Sequence, residues 1–161
     1  MTQEEKSKQL YEKLLPLLQN GNEVEIYPSG TSMFPLINPP NDSVVLRSIK
    51  DTRLKSGDII LYRRESGLLV LHRLCRIRQD GYYFTGDNQT ELEGPLQKSQ
   101  LLAIVTRISR SGHTFSVKHP IYKFCSRLWL MLRPVRPLIS RPLGTLWRNC
   151  TRRQNNQRRQ N

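Results

Sequence analysis

The spacing of apolar positions changes character along the chain, and each regime predicts a different kind of element. Between Gln3 and Gln19 it is helical, with Leu10, Leu14, Leu15, Leu17 and Leu18 forming a stripe. Glu4 and Glu5 lie near the N-terminus of this helix, where negative charge suits the dipole, and Asn20-Gly21-Asn22 ends it. From Val24 the pattern shortens to that of strands: Val24–Tyr27, Ser43–Arg47, Asp58–Arg63, Leu68–Arg78, Tyr82–Thr85, Leu101–Ile108 and Thr114–Lys118. Turn residues separate them at Pro39-Pro40-Asn41-Asp42, Glu65-Ser66-Gly67, Gln79-Asp80-Gly81 and Ser111-Gly112. The expected fold is mainly β, an antiparallel domain of about eight short strands preceded by one helix.

From His119 the pattern changes again. Phe124, Leu128–Leu132, Leu143, Leu146 and Trp147 are broken by Pro134, Pro137 and Pro142 and interrupted by Arg127, Arg133, Arg136, Arg141 and Arg148. Two short amphipathic helices broken by prolines fit this spacing, with Trp and Arg suited to a lipid headgroup boundary. The chain thus divides into an N-terminal amphipathic helix (1–22), a β domain (23–118), a basic, proline-broken helical extension (119–150) and a basic tail (151–161) whose composition predicts disorder.

Charge sharpens that division. All 13 acidic residues fall at or before Glu93, whereas the segment from Gly94 onward carries 14 Lys and Arg and no acid. Such asymmetry points to a polyanionic partner, an anionic membrane surface or nucleic acid. Cys75, Cys125 and Cys150 show no metal-binding spacing, and their odd number argues against a disulfide framework, so free thiols in a reducing compartment are expected. His113 and His119 have no cysteine or carboxylate nearby, and no metal or other cofactor is expected. Met1–Lys8 is polar, so no secretory leader is expected, and the longest uncharged apolar stretch, Leu128–Leu132, is far short of the roughly 20 residues that span a bilayer.

Candidate chemistry centres on Ser32, in Gly30-Thr31-Ser32-Met33-Phe34-Pro35. A histidine follows in Leu71-His72-Arg73, and a carboxylate in Gly86-Asp87-Asn88. A serine hydroxyl is a poor nucleophile until a neighbouring base takes its proton, and a histidine base benefits from a group that orients it. Each piece also has a plainer reading: a turn serine, a structural histidine, a hairpin Gly-Asp-Asn.

Together with Gly57-Asp58-Ile59-Ile60, these boxes, in this order, resemble the type I signal peptidases and the related self-cleaving repressors of the SOS response. The likeness covers roughly residues 24–108. His72, where many bacterial signal peptidases have lysine, is similar to the base of the endoplasmic-reticulum and archaeal-type branch. The resemblance implies a coiled, barrel-like β fold. It implies Ser32 as nucleophile and His72 as base, oriented by Asp87 (first choice, from its box) or by Glu93, the nearest match to the family's more distal acid. Gly30, Thr31, Met33 and Pro35 would line the oxyanion hole and substrate groove. One departure stands out: Gly30 occupies the position where signal peptidases commonly place an oxyanion-hole serine, so the hole would rest on backbone N–H groups, with Thr31 or Ser29 as further donors.

The expected function is a serine endopeptidase that removes a signal or leader segment from a peptide or protein precursor through an acyl-enzyme. The expected location is the cytoplasm or the cytoplasmic membrane surface, reached through the basic tail. The alternative is a non-catalytic binding module that holds precursor peptides or binds nucleic acid through that tail. The roughly 20 residues before Val24 are too few for the separate DNA-binding domain of a repressor, and aromatic residues for base stacking are sparse in the last arginine segment.

Overall fold

The computed structural model describes residues 2–132. Helix α1 (Gln3–Gln19) starts at a capping box: Thr2 Oγ1 accepts from Glu5 N–H, and Glu5 returns a bond to Thr2 N–H. It ends at Gly21, whose left-handed backbone (φ 79°) lets its own amide and that of Asn22 reach back to the Leu18 and Leu17 carbonyls. Only part of the leucine stripe is used. Leu14 and Leu18 are buried, whereas Leu10 and Leu17 face outward.

Eight strands follow: β1 (Val24–Ile26), β2 (Asp42–Ser48), β3 (Ile59–Arg63), β4 (Leu69–Arg78), β5 (Gly81–Thr85), β6 (Glu93–Leu96), β7 (Leu101–Arg110) and β8 (His113–Ser116). All pairings are antiparallel, in the order β1-β2-β7-β3-β4-β5-β6, with β8 hairpinned onto β7. Bulges at Val45/Leu46, Leu61/Tyr62 and Leu74/Arg76 interrupt the register, and such insertions bend a sheet. The expected mainly β, antiparallel architecture is present. The barrel-like closure is not: β1 and β6 are the two ends of an open sheet.

Strand β3 explains how the core is laid out. Its run Ile59-Ile60-Leu61-Tyr62 is buried on both faces, as expected of a central strand. Ile59 and Leu61 pack with Leu14 and Leu18 of α1 and with Met33 and Ile37 of the serine segment. Ile60 and Tyr62 pack on the other side with Leu74, Phe84 and Leu96. Helix α2 (Pro120–Met131) follows β8 and is the first part of the expected C-terminal extension. Pro134, Pro137, Pro142, Trp147, Cys150 and the tail 151–161 lie outside the described residues.

Candidate active site

The serine segment is held at both ends. Met33 and Ile37 are buried in the core, and Arg110 donates to the Leu36 carbonyl while its guanidinium pairs with the buried carboxylate of Asp42. Gly30 adopts φ 86°, a left-handed conformation that glycine takes without strain and that turns the chain into Ser32. On the other side the Gly86–Asn88 loop closes on the serine: Asn88 N–H donates to the Ser32 carbonyl at 2.7 Å. Gly86 is required for that approach, because a Cβ there would stand 2.6 Å from the Ser32 carbonyl oxygen. The Ser32 N–H donates to no described acceptor, which leaves it available as an oxyanion-hole donor.

His72 and Arg73 are neighbours on β4 and so point to opposite faces of the sheet. On the Arg73 face a fully buried ion pair forms with Asp87, Nε to Oδ1 at 2.8 Å and Nη2 to Oδ2 at 2.7 Å. The same guanidinium donates to the Gly57 carbonyl at 2.9 Å and to the Tyr122 hydroxyl of α2 at 3.3 Å. Trp129, also on α2, donates its indole N–H to the Asp87 backbone carbonyl at 2.6 Å. Arg73 therefore ties three of the sequence boxes to the C-terminal helix.

On the His72 face the partners differ. Ile60 pairs directly with His72 across β3 and β4, so Tyr62, two residues on, shares that face. Tyr62 Oη lies 3.0 Å from His72 Nδ1 and donates to Glu93 Oε2 at 2.8 Å. Glu93 is gripped from its other side by Arg64, whose Nε and Nη2 sit 2.5 and 2.6 Å from its two oxygens. Burial pushes the Glu93 carboxyl up, but the hydrogen bonds from Arg64 and Tyr62 and the Arg64 charge outweigh it and hold the group below its usual range. Burial, with help from Glu93, pushes the Tyr62 phenol far up, so it keeps its proton.

These facts fix the histidine tautomer. An ionised carboxylate only accepts, so the single Tyr62 proton goes to Glu93, and the phenol oxygen accepts from His72 Nδ1–H. The lone pair of the neutral ring is left on Nε2, which makes no hydrogen bond to a described residue. Burial lowers the His72 pKa to about 4 against an opposing contribution from Glu93, so the ring is neutral at pH 7. His72 is thus a neutral imidazole with an unshared pair on Nε2.

Ser29, Gly30, Ser32, Met33 and His72 line one cleft of about 260 Å³, together with Arg64 and Gln89. No hydrogen bond joins the Ser32 hydroxyl to His72 among the described residues. Thr31 is exposed beside the cleft rather than among its lining residues, and Pro35 is likewise not among them. Of the two acids expected to orient the base, Glu93 is in place, through Tyr62 and with Oε2 3.7 Å from Nδ1. Asp87 is on the opposite face, with both oxygens committed to Arg73. The first-choice role for Asp87 is corrected on that ground.

Tyr62 and Arg64 were not foreseen. Tyr62 sits in an apolar run that reads as core, yet its parity with Ile60, opposite His72, was a usable signal. Among the described residues no group of three His, Cys, Asp or Glu side chains comes together as a metal site, and neither Cys75 nor Cys125 is in a disulfide. No helix of the described residues is long and apolar enough to cross a membrane. No protein-family model matches the chain, and no curated protein matches it.

Proposed function

We propose that the chain is a serine endopeptidase of signal-peptidase type, acting on a peptide or protein precursor. The observation that carries this reading is the Arg64–Glu93–Tyr62–His72 series, which presents a neutral imidazole with its lone pair on Nε2 in the same cleft as Ser32. The four boxes that resemble signal peptidases supply independent support.

In this mechanism the Ser32 hydroxyl attacks the scissile carbonyl as Nε2 takes its proton. The imidazolium keeps its Nδ1–H bond to Tyr62, and the Glu93 carboxylate offsets its charge. The Ser32 N–H donates to the developing oxyanion. Nε2 then protonates the leaving amine; water, deprotonated by the same nitrogen, attacks the acyl group, and that proton returns to Ser32 Oγ as its bond to the acyl carbon breaks. The gap between Ser32 and His72 closes on substrate binding, as hydrogen bonds in unliganded sites often do. Among the described residues strand β1 pairs only with β2, and it leads directly into the serine segment, so an extended substrate adds along its other edge. By resemblance, small side chains precede the cut. The reaction takes place in the cytoplasm or at the cytoplasmic membrane surface.

Mass-spectrometric profiling of a peptide library, with lipid present, tests the assignment. Wild type produces cuts after small residues, and both Ser32→Ala and His72→Ala lose them. Unchanged cutting by Ser32→Ala overturns it. The absent Ser32–His72 bond favours one second reading, a holder of precursor peptides, marked by equal peptide affinity in wild type and Ser32→Ala without turnover.

A further inference from the structure

Helix α2 has three distinct faces. Tyr122, Ser126 and Trp129 turn inward onto the β domain, where Tyr122 and Trp129 make the bonds to Arg73 and Asp87. Ile121, Phe124, Leu128 and Met131 turn outward and are 69, 69, 47 and 77 % exposed. With Cys125, also exposed, they cover an arc of about 120° at 3.6 residues per turn. Lys123 and Arg127 stand between the inward and outward faces, one turn apart.

The two basic residues border a cleft of about 300 Å³ at the foot of the helix, shared with Arg47, Arg53, Lys55 and Lys118. Asp58 is the one acidic residue lining it, and its carboxyl is pushed up by burial against the pull of Lys55, Lys118 and Lys123. None of the six cations forms an ion pair with a described carboxylate. Among the described residues, an excess of positive charge without ion-pair partners thus lies directly beside an exposed apolar stripe.

We propose that the outer face of α2 and this basic cleft form a docking surface for an anionic phospholipid bilayer. The stripe enters the boundary between headgroups and acyl chains, and the cleft receives lipid phosphates. Charge alone would suit a nucleic acid equally, but four large exposed apolar side chains have no use against a phosphate backbone, whereas an interfacial helix needs both. This surface is built from described residues and does not depend on the peptidase reading.

A label on α2 separates this contact from binding by the arginine-rich tail. In full-length protein, Cys75→Ser and Cys150→Ser leave Cys125, on the apolar arc, as the single thiol for an environment-sensitive nitrobenzoxadiazole probe. Its emission brightens several-fold and shifts to the blue with phosphatidylcholine vesicles containing phosphatidylglycerol, and much less with phosphatidylcholine alone. Each basic residue at an anionic leaflet contributes about fivefold to partitioning, so Lys123→Gln with Arg127→Gln lowers vesicle binding roughly tenfold or more. Phe124→Ser with Met131→Ser has an effect of similar size. These side chains are exposed, and circular dichroism confirms that the variants keep the fold. Sedimentation with anionic vesicles without any change at the Cys125 probe overturns the proposal. So does a Lys123/Arg127 variant that loses duplex DNA binding while its vesicle binding is unchanged.

Discussion

The phenol of Tyr62 stands between His72 and Glu93, 3.0 Å from the ring nitrogen and 2.8 Å from the carboxylate. The imidazole and the carboxylate are therefore coupled through a hydroxyl, although they also approach to 3.7 Å directly. Removing that hydroxyl leaves Glu93 still bound to Arg64 and frees the imidazole to change tautomer. Tyr62→Phe is expected to lower kcat on a peptide substrate by about 10²-fold, within the range for disabled general-base catalysis. Near-UV circular dichroism should stay unchanged, and a retained kcat would show that the relay is idle.

Acid titration reports the state of His72. Its folded pKa is about 4, below the roughly 6.5 of an unfolded chain. The unfolded state therefore binds its proton first, and stability falls as pH drops from about 6.5 to 4, then levels off. The full difference is on the order of 3 kcal/mol. Urea midpoints measured across this window should show the loss, and a His72→Gln variant should lack it. On the proposed reaction, the acidic limb of kcat/KM should fall near pH 4 rather than near 6.5.

Glu93→Gln separates charge from hydrogen bonding. The amide can still accept from Tyr62, but the negative charge that raises the His72 pKa is gone, so the acidic limb should move further down. Asp87→Asn, on the opposite face, removes a weaker contribution of the same sign and is expected to move that limb less than Glu93→Gln does. Its main effect is to strand the buried Arg73 guanidinium, at a cost of about 3–5 kcal/mol in stability by chemical denaturation. The reverse pattern would return Asp87 to the role of orienting acid.

Gly86→Ala tests the contact behind the nucleophile. The added methyl would meet the Ser32 carbonyl at 2.6 Å and the Gln89 side-chain oxygen at 2.8 Å, and the first of these is backbone that cannot rotate away. A stability loss of about 1–3 kcal/mol is expected, together with a kcat reduced more than KM is raised. Turnover equal to wild type would mean that the serine loop tolerates displacement.

The elements that sequence made legible are those with one dominant local signal. Helix α1 was expected at Gln3–Gln19 and is found there, because its leucine spacing and the Asn20-Gly21 stop agree. Seven strands were marked by period-two or continuous apolar runs between turn residues. Strand β6 was hidden: Gly94-Pro95 within Glu93–Leu96 reads as a turn, and only pairing with β5 makes it extended. That strand carries Glu93, so its place beside the base was not visible from spacing. Ser32, His72 and Gly30 were foreseen as neighbours and share a cleft. The Gly-Asp-Asn box points Asp87 toward His72, but Arg73, the adjacent residue with the opposite facing and a complementary charge, is what takes it.

The bond from Asn88 to the Ser32 carbonyl, and that from Trp129 to Asp87, have a temporal meaning. A ribosome delivers the serine nearly a hundred positions before the tryptophan that braces its support. Through that interval the serine segment lacks the brace that α2 supplies. On the proposed reaction, competence would arrive only with α2, after the β domain has already been made.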